Sequence, residues 1–205
     1  MEQLDYYDNC MNHLGIESRD VVHSKGLWHK TIHCWLYDEA GNIYFQLRTD
    51  SGKMYTTASG HVNAGESLKQ AFARECREEI GIDVDMDTAE LVMMTVWRLD
   101  KKRDGVVVWQ DRAFAHIYVN KIPTDFLNFK FDPTEVTALI KINISDALKI
   151  LRSESGSCTA TKICHNNTIE PITITLADFH INNGEIGMVK FGRILQHCTQ
   201  EIFTM

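Results

Sequence analysis

Glu75, Glu78 and Glu79 stand in the run Arg74-Glu75-Cys76-Arg77-Glu78-Glu79, a density of carboxylates that calls for a counter-charge. At about 100° per residue they fall within roughly a quarter to a third of a helix circumference, with Phe72, Ala73, Cys76 and Ile80 on the neighbouring side. Like charges at i,i+3 and i,i+4 repel. Arg74, four residues before Glu78, relieves part of that repulsion. A hard divalent cation such as Mg²⁺ relieves the rest, since it takes carboxylate oxygens and leaves positions for phosphate and water. A lone run of this kind reads as a solvated acidic face. This one stands at fixed offsets from a glycine and a further acid: Gly60, five residues, Glu66, seven residues, Arg74-Glu75, and finally Gly81-Ile82.

The elements that must position these groups can be read from local signals. Ser67 can cap a helix over Leu68 to Ile80, which holds neither Gly nor Pro, and Gly81 is a natural left-handed stop. Upstream, KTIHCWLY and IYFQLR flank the turn DEAGN and predict a hairpin from about 30 to 48. A polar loop covers 49 to 54, and Tyr55 to Ser59 reads as a short strand. Downstream, Glu90 to Leu99 and Val106 to Asn120 read as strands joined by DKKRDG, and Val136 to Asn143 as another. Ser145 is expected to cap a short helix, Asp146 to Leu151. SESGSCTATK, 153 to 162, reads as a linker or mobile loop, followed by the β-like PITITL and a closing helix from about Met188 to Ile202. Residues 1 to 27 read as an arm on the body, with a β-pair around Asp8-Asn9 as one alternative for Leu4 to Leu14. The division expected is an arm at 1–27, a central domain at 28–152 and a C-terminal extension at 153–205, with a mixed sheet between helices.

The chain has 205 residues, 44% of them hydrophobic and 24% charged, as in an ordinary globule with a sizeable core. Its net charge of −7 argues against a nucleic-acid groove or an anionic membrane surface as the main partner. A polyanionic small molecule would then need a metal or local basic residues. The opening MEQLDYYDNC lacks the pattern of a signal peptide, and no apolar stretch approaches a membrane span. The six cysteines are scattered, so a cytoplasmic location with reduced thiols is expected. Cys158, Cys164, His165, His197 and Cys198 suggest zinc only weakly, because CX5CH is not a standard ligand spacing.

Residues 60 to 82 match the pattern GX5EX7REUXEEXGU at every fixed position, with Cys76 where an aliphatic residue is usual. On that motif the chain resembles the Nudix superfamily. The resemblance implies an α/β/α sandwich and hydrolysis, dependent on Mg²⁺ or Mn²⁺, of a small molecule carrying a nucleoside diphosphate linked to another moiety. It implies Glu75 and Glu79 as metal ligands, Glu78 as a ligand of the same or a second ion, and the Gly60 carbonyl region completing the site. Glu66 either stabilises the loop-helix geometry or binds metal through water, and Arg74 orients the acids. The general base is a box acid such as Glu78 or a later-loop acid, for which Glu135 leads and Asp111 follows; relatives often carry Glu near Ala113, where this chain has none. Arg48 and Lys53 are placed to meet phosphates, and Trp28, Trp35 or Trp109 to stack on a base or to serve the core. A homodimer is expected because dimers are common among such proteins.

A second resemblance lies in VHSKGLWHKTIHCWLYDEAGNIYFQLR together with Gly60-His61. It is to the branch containing isopentenyl-diphosphate isomerase and its hydrolase-like relatives. In the isomerase, histidines placed like His23, His29 and His61 help bind a second metal; the alternative is that His29 and His61 are hydrogen-bonded structural residues beside the substrate groove. The isomerase uses a Cys immediately before the Gly-His pair, where this chain has Ser59, and it usually loses part of the acidic signature that is intact here. Both departures favour a hydrolase. An isomerase-like enzyme and a non-catalytic nucleotide-binding sensor are the competing readings.

Overall fold

The computed structural model describes residues 1–85, 87–124, 128–180 and 185–203, and side chains within the last segment from 190 to 200. The chain opens with a hairpin, β1 (Gln3–Tyr7) and β2 (His13–Ser18). Its turn is built by Asp8, whose Oδ1 accepts the N–H groups of Cys10 and Asn12 at 2.8 Å. Ser18 caps α1 (Arg19–Lys25), which ends at Gly26 in the left-handed region. Then follow β3 (Trp28–Asp38), β4 (Asn42–Arg48), β5 (Met54–Tyr55), β6 (Ala58–His61) and α2 (Leu68–Ile80). Ser67 and Gln70 form a reciprocal capping box on α2, and Gly81 ends it at φ +70°, so both boundaries fall where the sequence puts them. The second half runs β7 (Glu90–Arg103), β8 (Val106–Ile122), β9 (Val136–Asn143), α3 (Ile144–Leu151), β10 (Ser157–Ile163), β11 (Ile169–Thr175), a 3-10 turn at Leu176–Asp178 and α4 (Glu185–Phe203).

All eleven strands join one sheet, ordered β11-β10-β9-β4-β3-β1-β2, with β5 and β6 paired to β4 and β3 and the long β7–β8 hairpin entering beside β3. The β3–β8 pairing is parallel along its whole length, from Trp28↔Arg112 to Asp38↔Ile122, and the pairs around it are antiparallel. The sheet is therefore mixed. β3 is its hub: its alternate side chains feed two cores. Ile32, Cys34 and Leu36 pack with α2 through Phe72, Cys76 and Ile80. Trp35 and Tyr37, on the opposite face, pack with α3 and α4 through Ile150, Phe191 and Leu195. Helices thus cover both faces of the sheet, the α/β/α arrangement expected. No helix among the described residues is long and apolar enough to cross a membrane.

Three local expectations are corrected. The stretch 153–162 is a turn only at its start, with Ser153 at φ +59°; from Ser157 it is β10, held between β9 and β11. The Ser and Gly content masks the alternation of Thr159, Thr161 and Ile163, which suits a pleated surface. The helix after β9 is capped by Asn143, whose side chain accepts the Ser145 N–H at 3.0 Å, so Ser145 lies inside it. Tyr55 to Ser59 is two short strands interrupted at Thr56-Thr57. Both threonine hydroxyls are buried and donate to main-chain carbonyls, of Cys34 and Tyr44 respectively, in place of continued pairing.

Candidate active site

Two groups of titratable side chains meet at residues 59–61, which also line a groove. The first is carried by α2. Glu75 and Glu79, one turn apart, are 8% and 3% exposed, whereas Glu78 points outward. Arg74 organises them. Its Nη1 donates to Glu75 Oε1 at 2.7 Å and to Glu78 Oε2 at 3.0 Å, and its Nη2 donates to the His61 carbonyl at 2.7 Å. Nε and Nη2 also clasp both oxygens of Glu66, at 2.9 and 3.0 Å. Glu66 accepts in addition the Asn63 N–H at 2.9 Å, so it splints the loop to the helix. Glu79 Oε2 accepts from the Ser59 N–H at 3.0 Å and from Gln46 Nε2 at 3.2 Å, and its carboxyl also meets that of Glu135.

Burial sets the electrostatics. Desolvation pushes the Glu75 carboxyl up to about 7 against the pull of Arg74. Desolvation, then the neighbouring Glu75 and Glu135, raises Glu79 well above the usual carboxylate range. A divalent cation would relieve the crowding of acids that Arg74 balances only in part. Gly60 shows that the crowding is built in: a Cβ there would lie 2.0 Å from Glu75 Oε1, so the carboxylate rests against bare backbone. Hard oxygen donors with water-accessible neighbours fit Mg²⁺ or Mn²⁺.

The second group is His23 from α1, His29 from β3 and His61 from β6, whose potential ligand atoms all lie within 4.8 Å of one another. Each ring is anchored by its outer nitrogen. Nδ1 of His23 donates to the Gln110 carbonyl at 3.0 Å and Nδ1 of His29 to that of Leu27 at 3.2 Å, while Nδ1 of His61 faces Glu2 Oε1 at 3.0 Å. Carbonyls only accept, which assigns the tautomers of the first two rings and turns their bare Nε2 atoms inward. Burial keeps both neutral, lowering His23 to about 4 and His29 to about 3. Nε2 of His23 and of His61 are 3.2 Å apart, a contact that needs a shared proton or a cation. His29 Nε2 and Asp111 Oδ1, 3.4 Å apart, are both buried without a hydrogen-bond partner among the described residues. Three imidazoles with their ligand atoms gathered together form a divalent-metal donor set, and the Asp111 carboxylate stands beside His29. Ala113, two residues along β8 from Asp111, offers no further donor.

The groove has a volume of about 340 Å³ and is lined by Ser59, Gly60 and His61, by Trp97 and Lys101 of β7, and by Trp109 and Asp111 of β8. Arg48 also lines it, fixed by a two-pronged pair with Asp50 at 2.9 Å that holds the Asp50 carboxyl at about 2. Lys53 is turned away and donates to the Ala177 carbonyl at 2.7 Å. Trp28 stacks on Phe114 and Trp35 is core, while Trp109 stacks on His23 at 4.3 Å and reaches the groove. Among the described residues, the suggested zinc residues Cys158, Cys164, His165, His197 and Cys198 form no metal-binding group; the histidine trio is the one such group present.

Sequence reasoning missed Trp97, His180, Arg19 and Glu2. Only the position of Trp97 left a trace, as the partner of Leu99 and Lys101 in the alternation of β7. Glu2 and Arg19 come from the N-terminal arm, which is tied to the loop before α2 by Ala64 N–H to the Gln3 carbonyl at 2.8 Å and by Gly65 N–H to Asp5 at 2.8 Å.

Comparison with known proteins agrees with this geometry. The NUDIX domain model matches residues 27–156. An uncharacterized Nudix hydrolase of Clostridium acetobutylicum is 32% identical over 158 residues, 73% of this chain and 74% of its own length. An isopentenyl-diphosphate Delta-isomerase of Burkholderia multivorans is 25% identical over 172 residues, 80% of this chain and 90% of its own. A crystal structure of a Deinococcus radiodurans protein shares the fold, with a TM-score of 0.51 at 16% identity over 74% of this chain and 90% of that one. Box, fold and relatives agree, and the chain belongs to the Nudix family, among relatives that include both hydrolases of undetermined substrate and Nudix-type isomerases.

Proposed function

We propose that this protein hydrolyses a diphosphate linkage in a nucleoside diphosphate derivative. The observation that carries the reading is the buried Glu75–Glu79 pair, held by Arg74 against the bare backbone of Gly60. Glu75 and Glu79 would hold a divalent cation, with Glu78, the Gly60 carbonyl and, through water, Glu66 available around it. Such a cation, when bound, supplies charge neutralisation of the phosphates and a more acidic water. The protein's own groups do the rest. Arg74 fixes the carboxylates, so the donor geometry exists before substrate arrives. Lys101, Arg48 and Arg19 line the groove and offer cationic donors to phosphate oxygens, Arg48 being held in place by Asp50 and Arg19 by Glu2. Glu135, exposed and touching Glu79, is the proposed general base: it takes a proton from water as the water oxygen bonds to phosphorus and the bridging P–O bond breaks, leaving two phosphorylated products.

His23, His29 and His61 would hold a second cation beside the groove, with Asp111 next to His29, and the geometry of the three rings is the specific observation favouring an isomerase-like reading. Against it stand Ser59 in place of the isomerase Cys and the intact signature of Arg74, Glu75, Glu78 and Glu79. The test is phosphate release, with a coupling phosphatase, across nucleoside di- and triphosphates, ADP-ribose, dinucleotides and isopentenyl diphosphate, with and without Mg²⁺ or Mn²⁺ and beside Glu79→Gln. Metal-dependent turnover that collapses in the variant is expected. Nucleotide binding with no turnover on any compound sinks the catalytic reading and leaves a sensor.

A further inference from the structure

The groove does not end at Tyr55. Past it lies a small chamber of about 20 Å³, lined by His33, Trp35, Tyr55, Trp97, His180 and Lys190. His33, Tyr55, Trp97 and His180 line the groove as well, so the chamber is its continuation. Lys190 comes from α4, far outside the acidic motif, and its Nζ stands 5.8 Å from the centre of the Trp97 ring. It is partly buried, and among the described residues no carboxylate pairs with it. Burial lowers its pKa to about 8, which leaves the ammonium form in the majority at neutral pH. The other polar groups are hydrogen-bond donors or can become so: Tyr55 Oη lies 3.4 Å from His33 Nδ1, and one of the two carries the shared proton while the other ring nitrogen remains available.

An ammonium in an aromatic chamber with no counter-charge among the described residues is costly, and an oxyanion from a ligand removes that cost. The volume accommodates about one water-sized group, hence a single terminal oxygen and not a base or a sugar ring. The chamber is also close to the proposed cleavage site. His33 pairs across the sheet with Ser59, whose N–H is bonded to Glu79. We infer that Lys190, with His33 and Tyr55, forms an oxyanion subsite that selects diphosphate substrates whose attached moiety carries a carboxylate or phosphate oxygen. As a statement about turnover this rests on the hydrolase reading above; as a statement about binding it does not.

The test therefore measures both, on the full chain. Affinity is measured by titration calorimetry in Ca²⁺, and kcat/KM in Mg²⁺, for two matched pairs: UDP-glucuronate against UDP-glucose, and NADPH against NADH. The first pair differs by a carboxylate and the second by a phosphate, so they separate the two sources of the oxyanion. The expected result is an affinity ratio of about 10- to 100-fold in favour of the charged member of one pair, falling to about 1 in Lys190→Met and partly kept in Lys190→Arg. Should Lys190→Met not fold, Tyr55→Phe keeps the ring, and the ratio is expected to drop about 3- to 10-fold. Equal affinity within both pairs, a ratio unchanged in Lys190→Met, or no binding of any of the four compounds overturns the subsite. Preference in binding without turnover upholds the subsite and fails the hydrolase; turnover without preference does the reverse.

Discussion

Gly60→Ala is the sharpest perturbation of the acidic site. One methyl group is added, and its carbon meets Glu75 Oε1 at 2.0 Å, Cδ at 2.2 Å and Oε2 at 2.5 Å, where ordinary contact begins at 3.4 Å. The carboxylate cannot simply swing into water. It is 8% exposed and its Oε1 is bonded to Arg74 at 2.7 Å, so retreat breaks that charge-assisted bond or drags Arg74 off Glu66 and the His61 carbonyl. Overpacking costs about 1–3 kcal/mol and a lost charged hydrogen bond about 1.5–3 kcal/mol; partial relaxation makes a combined loss of about 2–4 kcal/mol reasonable. At about 2–4 °C per kcal/mol for a chain of this size, the melting temperature should fall by roughly 5–15 °C. If Glu75 holds the cation as proposed, a displacement of about 1 Å at its carboxylate should also cost about 100-fold in kcat/KM. The assays are thermal unfolding by circular dichroism and turnover of whichever diphosphate the substrate panel identifies. Gly156→Ala is the control, because nothing lies within 4 Å of its added carbon. If Gly60→Ala melts and turns over like Gly156→Ala, Glu75 is not seated against Gly60 and the account of the site is wrong.

Two further outcomes follow from the same groups. Glu75 titrates at about 7 in the folded protein against 4.5 for the ordinary group. Between those values the folded state holds a proton that the unfolded chain has released, so metal-free stability should fall as pH rises through that window. Urea midpoints in EDTA should decline from about pH 5 to pH 7.5, and Mg²⁺ should restore stability most at the upper end; a flat profile would show that the carboxyl is not desolvated. Glu2→Gln replaces the carboxylate facing His61 Nδ1 at 3.0 Å, which is expected to weaken Mn²⁺ binding at the histidine site about 10- to 100-fold. Calorimetry in a Glu75→Gln, Glu79→Gln background isolates that site, and unchanged affinity there argues that Glu2 does not orient the ring.

The parts of this protein that were legible in its sequence are those set by neighbours in the chain. The bounds of α2 follow from a serine cap, an uninterrupted helical run and a left-handed glycine, all within fifteen residues. The spacing of Gly60, Glu66, Arg74, Glu75 and Glu79 places them near one another because a short loop and one helix connect them. The hairpins around Asp38–Asn42 and Asp104-Gly105 were equally local. Where local signals conflicted, the reading failed: Ser and Gly at 153–157 hid β10, whose formation depends on the strands on either side of it.

Convergence over long separations was decided by the fold. His23, His29 and His61 meet Asp111 because β3 pairs with β6 on one side and with β8 on the other, in a register that composition does not encode. Lys190 reaches the chamber past Tyr55 because α4 returns across the face of the sheet that carries Trp35. Which acid is buried is likewise a tertiary matter. Glu75, Glu78 and Glu79 are equivalent as letters on a helix, but only the packing of α2 against β6 desolvates two of them and leaves the third in water. Local propensity acts through bonds a few residues long, whereas desolvation and convergence require surfaces that exist only after the chain has closed on itself.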